Sequence, residues 1–177
     1  DGSAAVVIAT KEVAMLAQAA GLPIVRIRAS AVAIDHVGLD DRAELLTPAG
    51  VIASSKKAYE QAGVGPEDID IFELHDAYTI MSILSLEGAG FAKPGEGWRL
   101  GAEKNIDPTG HLPISVAGGL KARGHPVGAT GIYQLVETFL QLTDQAGDNQ
   151  LEGKRMAMTQ NVGGTAVTVA THILERV

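Results

Sequence analysis

The chain changes its hydrophobic period several times and ends on two strand-like runs separated by a pair of glycines. That alternation constrains the fold more than any other feature. Ala4 to Ala9 is a short apolar run that reads as a buried strand. Thr10 is placed to cap a helix over residues 11–20, which Gly21 stops and Pro23 follows. Ile24 to Ile34 mixes Val, Ile and Arg in rough alternation, as a long strand does. Residues 36–48 are polar and acidic and predict a loop with one helical turn. A helix is expected from about Pro48 to Ala62, ended by Gly63, then a turn at Gly65-Pro66-Glu67-Asp68 and a strand over Ile69–Leu74. Asp76 to Glu87 is apolar nearly all round and predicts a buried helix. Residues 88–110, rich in glycine and holding two prolines, predict a long irregular connection. Pro113 to Val116 is a short extended piece. Ile132, Leu135, Val136, Phe139 and Leu140 then mark an amphipathic helix that ends before Gly147. Met156–Gln160 and Val167–Leu174 predict a hairpin with a tight turn at Gly163-Gly164. The expected fold is an α/β layered domain: a mixed sheet with helices packed on it and a closing β-hairpin, undivided by any linker or repeat.

Composition narrows the functional classes. The net charge is −7 and aromatics make up 4% of 177 residues, which argues against a nucleic-acid surface built on Lys/Arg and stacking rings. Lys121 and Arg123, just before Gly124-His125-Pro126, form one local basic spot. The chain has no cysteine, so disulfides, thiolate zinc sites and a cysteine nucleophile within it are excluded. No metal-spaced cluster of His, Asp or Glu stands out. No apolar run approaches the ~20 residues that span a bilayer, and no signal peptide is visible, so a cytoplasmic location without membrane attachment is expected. The chain opens abruptly at Asp1 without an initiator Met, as the middle of a longer polypeptide would.

Three segments carry candidate chemistry, each at the end of an expected strand, where α/β sheets place their sites. They are Glu73-Leu74-His75-Asp76-Ala77-Tyr78, Gly124-His125-Pro126, and Gln160-Asn161-Val162-Gly163-Gly164-Thr165. His125 is either a structural residue of the turn that opens a helix, or a hydrogen-bond donor to an oxyanion or a base. His75 is either a satisfied core residue or a second site group. Asp76 is the natural N-cap of the following helix, a role preferred here to catalysis. Gly163-Gly164 is a hairpin turn, or a place where a backbone N–H reaches an oxyanion unobstructed by a Cβ.

Together these segments resemble the thiolase family. Gly124-His125-Pro126-x-Gly128-Ala129-Thr130-Gly131 matches the family's Gly-His-Pro signature nearly letter for letter, with Gly118-Gly119 at the expected distance before it. His75-Asp76-Ala77-Tyr78 resembles the His-Asp-Cys-Phe or His-Asp-Ala-Phe segment of the sterol-carrier-like and archaeal branch. Asp1-Gly2-Ser3-Ala4-Ala5 resembles a stretch near the middle of such enzymes, and Gln160-Asn161-Val162-Gly163-Gly164 resembles their ending. The resemblance covers essentially the whole chain. It implies a C-terminal domain over 1–177, with residues 1–22 a short piece of the preceding half.

The resemblance also implies a Claisen exchange between coenzyme A thioesters, two acetyl-CoA giving acetoacetyl-CoA and CoA, with no other cofactor. The nucleophilic cysteine would lie in the preceding half. His125 would donate from Nε2 to the enolate oxygen, His75 would stand where other members hold a water with Asn, and the Gly163 N–H would face the acyl-enzyme carbonyl. Family members usually carry a second cysteine that shuttles the α-proton; the two positions for it hold Ala77 and Asn161 here. The shuttle is then His75, favoured because an imidazole titrates near working pH, or Tyr78, or a residue of the preceding half, or is absent. Ser115 stands where many members have Asn. Two alternatives remain: a thiolase-like retro-aldolase acting on a β-hydroxy acyl-CoA, and a catalytically silent scaffold. Implied partners are the chain's own N-terminal half, further copies in a homodimer or tetramer, hydroxymethylglutaryl-CoA synthase and a small OB-fold acyl-CoA-binding protein, which would pass product toward isoprenoid synthesis.

Overall fold

A computed structural model describes residues 1–177. Ten elements follow one another: α1 (Lys11–Ala19), β1 (Val25–Ile34), α2 (Ala49–Ala62), β2 (Ile71–Glu73), α3 (Thr79–Gly88), α4 (Gly97–Ala102), α5 (Gly119–Arg123), α6 (Thr130–Leu142), β3 (Met156–Gly163) and β4 (Thr168–Arg176). The four strands form one mixed sheet in the order β1-β4-β3-β2. β4 runs antiparallel to both β1 and β3, and β2 runs parallel to β3. The hairpin β3–β4 is the expected closing one, though its turn is the four-residue stretch Gly164–Val167 rather than the glycine pair alone.

Side-chain alternation sends the two faces of the sheet to two helical layers. On one face Ala29, Ala31, Phe72, Leu74, Met158 and Ile173 pack with Ala58 and Ala62 of α2 and Leu86 of α3. Gly63 ends α2 in the left-handed conformation, and its N–H returns to the Tyr59 carbonyl. On the other face Ile71, Ala157 and Leu174 pack with Leu142 of α6 and Leu151. The architecture is therefore helix, sheet, helix. No helix is long and apolar enough to cross a membrane.

Several expectations are corrected. Residues 4–9 form no strand: the run is mostly exposed and takes part in no sheet pairing. A strand exists only through a neighbour that bonds its N–H and C=O groups, and these residues have none. Thr10 does cap α1, accepting from the Val13 N–H at 3.5 Å. In α3 only Ser85 and Leu86 are buried, and Ile80 is 49% exposed. The stretch 88–110 contains α4 and so is not wholly irregular; the Gly97 N–H at its start donates to Glu87 Oε1 at 2.8 Å.

α6 departs from the usual rule that an apolar stripe marks the core side. Its buried positions include Thr130, Gln134, Thr138 and Gln141, on one face at intervals of three or four, while Ile132, Leu135, Val136, Phe139 and Leu140 are only half-buried. The sheet side of α6 lies against backbone carbonyls that need donors. Gln134 and Gln141 supply them, Gln141 Nε2 donating at 2.7 Å to the Asn149 carbonyl in the connection before β3.

Candidate functional site

The parallel pairing of β2 and β3 builds the site. Glu73 lies opposite Thr159, and continuing that register by two residues brings His75 alongside Asn161. Alternation puts Glu73 and His75 of one strand, and Asn161 and Gly163 of the other, on the face that α6 covers. Gly163 therefore sits roughly 6.5 Å beyond Asn161 along β3 on the same face. At position 131 of α6, an added Cβ would lie 3.4 Å from Asn161 Cγ, so the glycine lets the helix entrance approach this side chain.

The two imidazoles meet edge to face with ring centroids 5.0 Å apart. His75 is 5% exposed; His125 is exposed, on the wall of a cavity of about 810 Å³ lined by residues 1–4, 123–129 and Tyr133. A second cavity of about 720 Å³, between α2 and residues 63–68 and 88–90, contains none of the candidate residues. Asn161 Nδ2 lies 3.2 Å from His75 Nδ1. Tyr78 is 72% exposed and sits at the start of α3. The structure thus brings His75, His125 and Asn161 together, holds Gly163 one pleat further on, and leaves Tyr78 at the surface.

His125 is oriented from within its own loop. Its Nδ1 lies 2.6 Å from Thr130 Oγ1, a hydroxyl with no solvent exposure that also lies 3.2 Å from the Pro126 carbonyl. That carbonyl already accepts from the Ala129 and Thr130 N–H groups. The contact pins the Nδ1 edge of the ring to the loop, and the direction of the hydroxyl proton, toward Nδ1 or toward the carbonyl, sets the tautomer.

Asp76 does not cap the helix that follows it, which starts only at Thr79 without a side-chain cap. Its Oδ1 instead accepts from the Leu120 N–H at 3.0 Å, at the start of α5. A Cβ at position 119 would fall 2.1 Å from Asp76 Oδ2, so only glycine fits under the carboxylate, and Gly119 has φ +62°. Ser115, just upstream, also sits in the left-handed region at φ +42°, where Asn is better tolerated.

Burial pushes the His75 pKa down to about 4, with the positive charge of His125 adding to the effect. The imidazole is therefore neutral throughout the physiological range, which corrects the expectation that it titrates near working pH. Two residues upstream, Glu73 is buried and its carboxyl is held well above the usual range, first by burial and then by the adjacent Glu137. Glu73 Oε2 and Glu137 Oε2 are both buried without a donor, an arrangement that one retained proton between the two carboxyls resolves. Arg123 Nε pairs with Glu137 Oε1 at 2.5 Å, and its guanidinium lies over the Tyr133 ring, tying the segment before His125 to α6.

Sequence reasoning missed Gln134, Thr130 and Glu73. The signal for the first two was present: polar residues at 130, 134 and 138 form an i, i+4 ladder in an otherwise apolar helix.

The family described as Thiolase C-terminal domain-like matches residues 31–176. The chain is 39% identical over 176 residues to an acetyl-CoA acetyltransferase of Methanothermobacter thermautotrophicus, a match covering 99% of this chain and 45% of that protein. The chain thus spans under half the length of that relative. Among solved structures, the Ltp2-ChsH2(DUF35) aldolase superposes with a TM-score of 0.77 at 24% identity, covering 87% of this chain and 40% of that one. A monomeric SCP2-thiolase like protein type 1 from Mycobacterium smegmatis superposes at 0.67 with 21% identity, covering 92% and 32%. At those identities the likeness is one of fold.

Proposed function

The chain belongs to the thiolase family, matching its C-terminal domain, and from that premise we propose that it supplies the oxyanion-stabilising part of an enzyme that moves acyl groups between coenzyme A thioesters. The observation that carries this reading is the pair of imidazoles 5.0 Å apart, one buried and neutral, one on a cavity wall. A thioester enolate develops negative charge on its oxygen, and preoriented N–H donors in a dry site stabilise it without reorganisation. His125 and His75 both present Nε2–H to that oxygen, and the Gly163 N–H serves the acyl-enzyme carbonyl.

In the forward direction a cysteine thiolate of the preceding half attacks acetyl-CoA, and CoA leaves as a thiol. A second acetyl-CoA then loses an α-proton to a base. Its enolate carbon bonds to the acyl carbon and expels the cysteine thiolate, giving acetoacetyl-CoA. His75, with its depressed pKa, is a poor acceptor for the α-proton and acts as a donor only. The base is then a group of the preceding half, since the Nδ1 of His125 lies against Thr130 and its Nε2 serves the enolate oxygen. Residues 1–22 belong to that half in this reading; Gly2 already lies against Pro126 and the Tyr133 hydroxyl. The assembled enzyme works in the cytoplasm as a homodimer or tetramer, alongside hydroxymethylglutaryl-CoA synthase and a small OB-fold protein.

The test is the full-length polypeptide given acetoacetyl-CoA and CoA. Formation of acetyl-CoA is expected, and its absence overturns the reading. The second reading is retro-aldol cleavage of a β-hydroxy acyl-CoA: the two positions where family members carry the proton-shuttling cysteine hold Ala77 and Asn161, and the Tyr78 hydroxyl is exposed. Activity that survives replacement of every cysteine in the full polypeptide would favour that chemistry.

A further inference from the structure

Gln134 is fully buried, yet it makes no contact with either imidazole. Its Nε2 lies 3.1 Å from the Glu73 carbonyl at the end of β2 and 3.0 Å from the Gln160 carbonyl within β3. Both neighbours are pure acceptors, so the amide orientation is decided: the NH₂ group faces the two carbonyls and Oε1 faces away. Oε1 lies 3.4 Å from the Asn161 amide, and an oxygen there demands a donor, so Asn161 presents Nδ2. The other hydrogen of that NH₂ group then points at His75 Nδ1, 3.2 Å away. A ring nitrogen that receives a hydrogen carries none of its own. The neutral His75 ring must hold its proton on Nε2.

We infer that Gln134 and Asn161 are positioning residues whose polar relay, anchored on one carbonyl of β2 and one of β3, locks His75 as the Nε2–H tautomer. This deepens the proposed function and rests on its assignment of His75 as an oxyanion donor. It also accounts for Asn161 at a position where a cysteine is expected: one amide NH₂ group donates twice, to Gln134 Oε1 and to His75 Nδ1. The sheet thereby transmits a fixed polarity to the site, from backbone carbonyls whose direction cannot change without unfolding β2 and β3. The buried polar face of α6 has a purpose beyond satisfying those carbonyls.

The experiment is nitrogen-15 magnetic resonance on the full-length protein labelled at histidine, with His75 identified by its disappearance in His75→Gln, combined with steady-state kinetics. The wild-type His75 should show a protonated Nε2 and a bare Nδ1 between pH 6 and 8. Asn161→Leu, which leaves the Gln134 bonds to the carbonyls in place, should yield a mixture of tautomers and lower kcat by about tenfold to a hundredfold with little change in KM. Asn161→Asp should move the proton to Nδ1. Gln134→Met should act as Asn161→Leu does where it folds. A wild-type Nδ1–H tautomer, or a folded Asn161→Leu protein with His75 unchanged, overturns the inference. Full activity in His75→Ala would instead remove the donor role of His75 while leaving the tautomer result standing, so the two failures are distinguishable.

Discussion

The two imidazoles that meet in this domain are held in opposite ways. His75 lies on the strand-end side, buried, with its Nδ1 against an amide side chain from the neighbouring strand. His125 lies on the loop side, exposed, with its Nδ1 against a hydroxyl five residues along its own turn. The first is fixed by tertiary structure and the second by local structure. Burial removes the first ring from titration in the physiological range.

The largest expected effect tests the loop side. His125→Ala in the full-length enzyme should lower kcat by about 10²–10³-fold with the melting temperature nearly unchanged. A merely structural His125 would instead lower the melting temperature and spare the activity of the folded fraction. Thr130→Val should follow, because the ring then loses the group that selects its tautomer; a drop of roughly tenfold in kcat is expected, restored by Thr130→Ser, in the same assay.

The strand-end side is sharpened by pH. The folded pKa of His75, about 4, lies below its unfolded value of about 6.5. Between those values the unfolded chain binds the extra proton, so the His75 contribution is fully present above about pH 6.5 and is lost as pH falls toward 4. Thermal melts of wild type and His75→Gln should diverge in that window, with the wild type losing more stability on acidification. Glu73 has the opposite sign. Its folded pKa is raised, so its contribution is present in acid and is lost as pH rises above the ordinary carboxylate range. Glu73→Gln, which keeps a donor toward Glu137, should raise the melting temperature at pH 8 by a few degrees and leave it almost unchanged at pH 4. The smallest effect belongs to Ser115→Gly, which relieves a positive φ and should stabilise by less than about 1 kcal/mol in a denaturant titration.

The same contrast explains how much the sequence disclosed. Local features were legible: the Thr10 cap, the Gly63 stop, the closing hairpin, and the glycines around His125 that open α6. Two of the three site segments were legible as strand ends; Gly124-His125-Pro126 instead joins α5 to α6. What was hidden depends on which faces meet. Periodicity locates a stripe on a helix but does not say which side meets the sheet, so the polar ladder of α6 was visible but not the carbonyls it faces. Gln134 in a sequence reads as a solvated residue; only the register of β2 on β3 shows that two carbonyls await it. Asp76 was misassigned for the same reason, because a side chain beside a helix start bonds whichever orphan N–H lies nearest, and here that group is forty-four residues away. Residues 4–9 carry a strand's composition but have no neighbour to pair with.

The bond from the Leu120 N–H to Asp76, with Gly119 tucked beneath the carboxylate, works as a rivet between the two histidine-bearing segments. Residues 77–118 form an excursion closed at that rivet, held as well by Leu86, Ala89 and Leu112 in the core and by the Phe72 backbone bonds to Pro113 and Ser115. Its contour length does not set the spacing of the rings. Insertions or deletions around α4 should therefore be tolerated without detuning the site, whereas a single added methyl group at position 119 should spread the two segments apart.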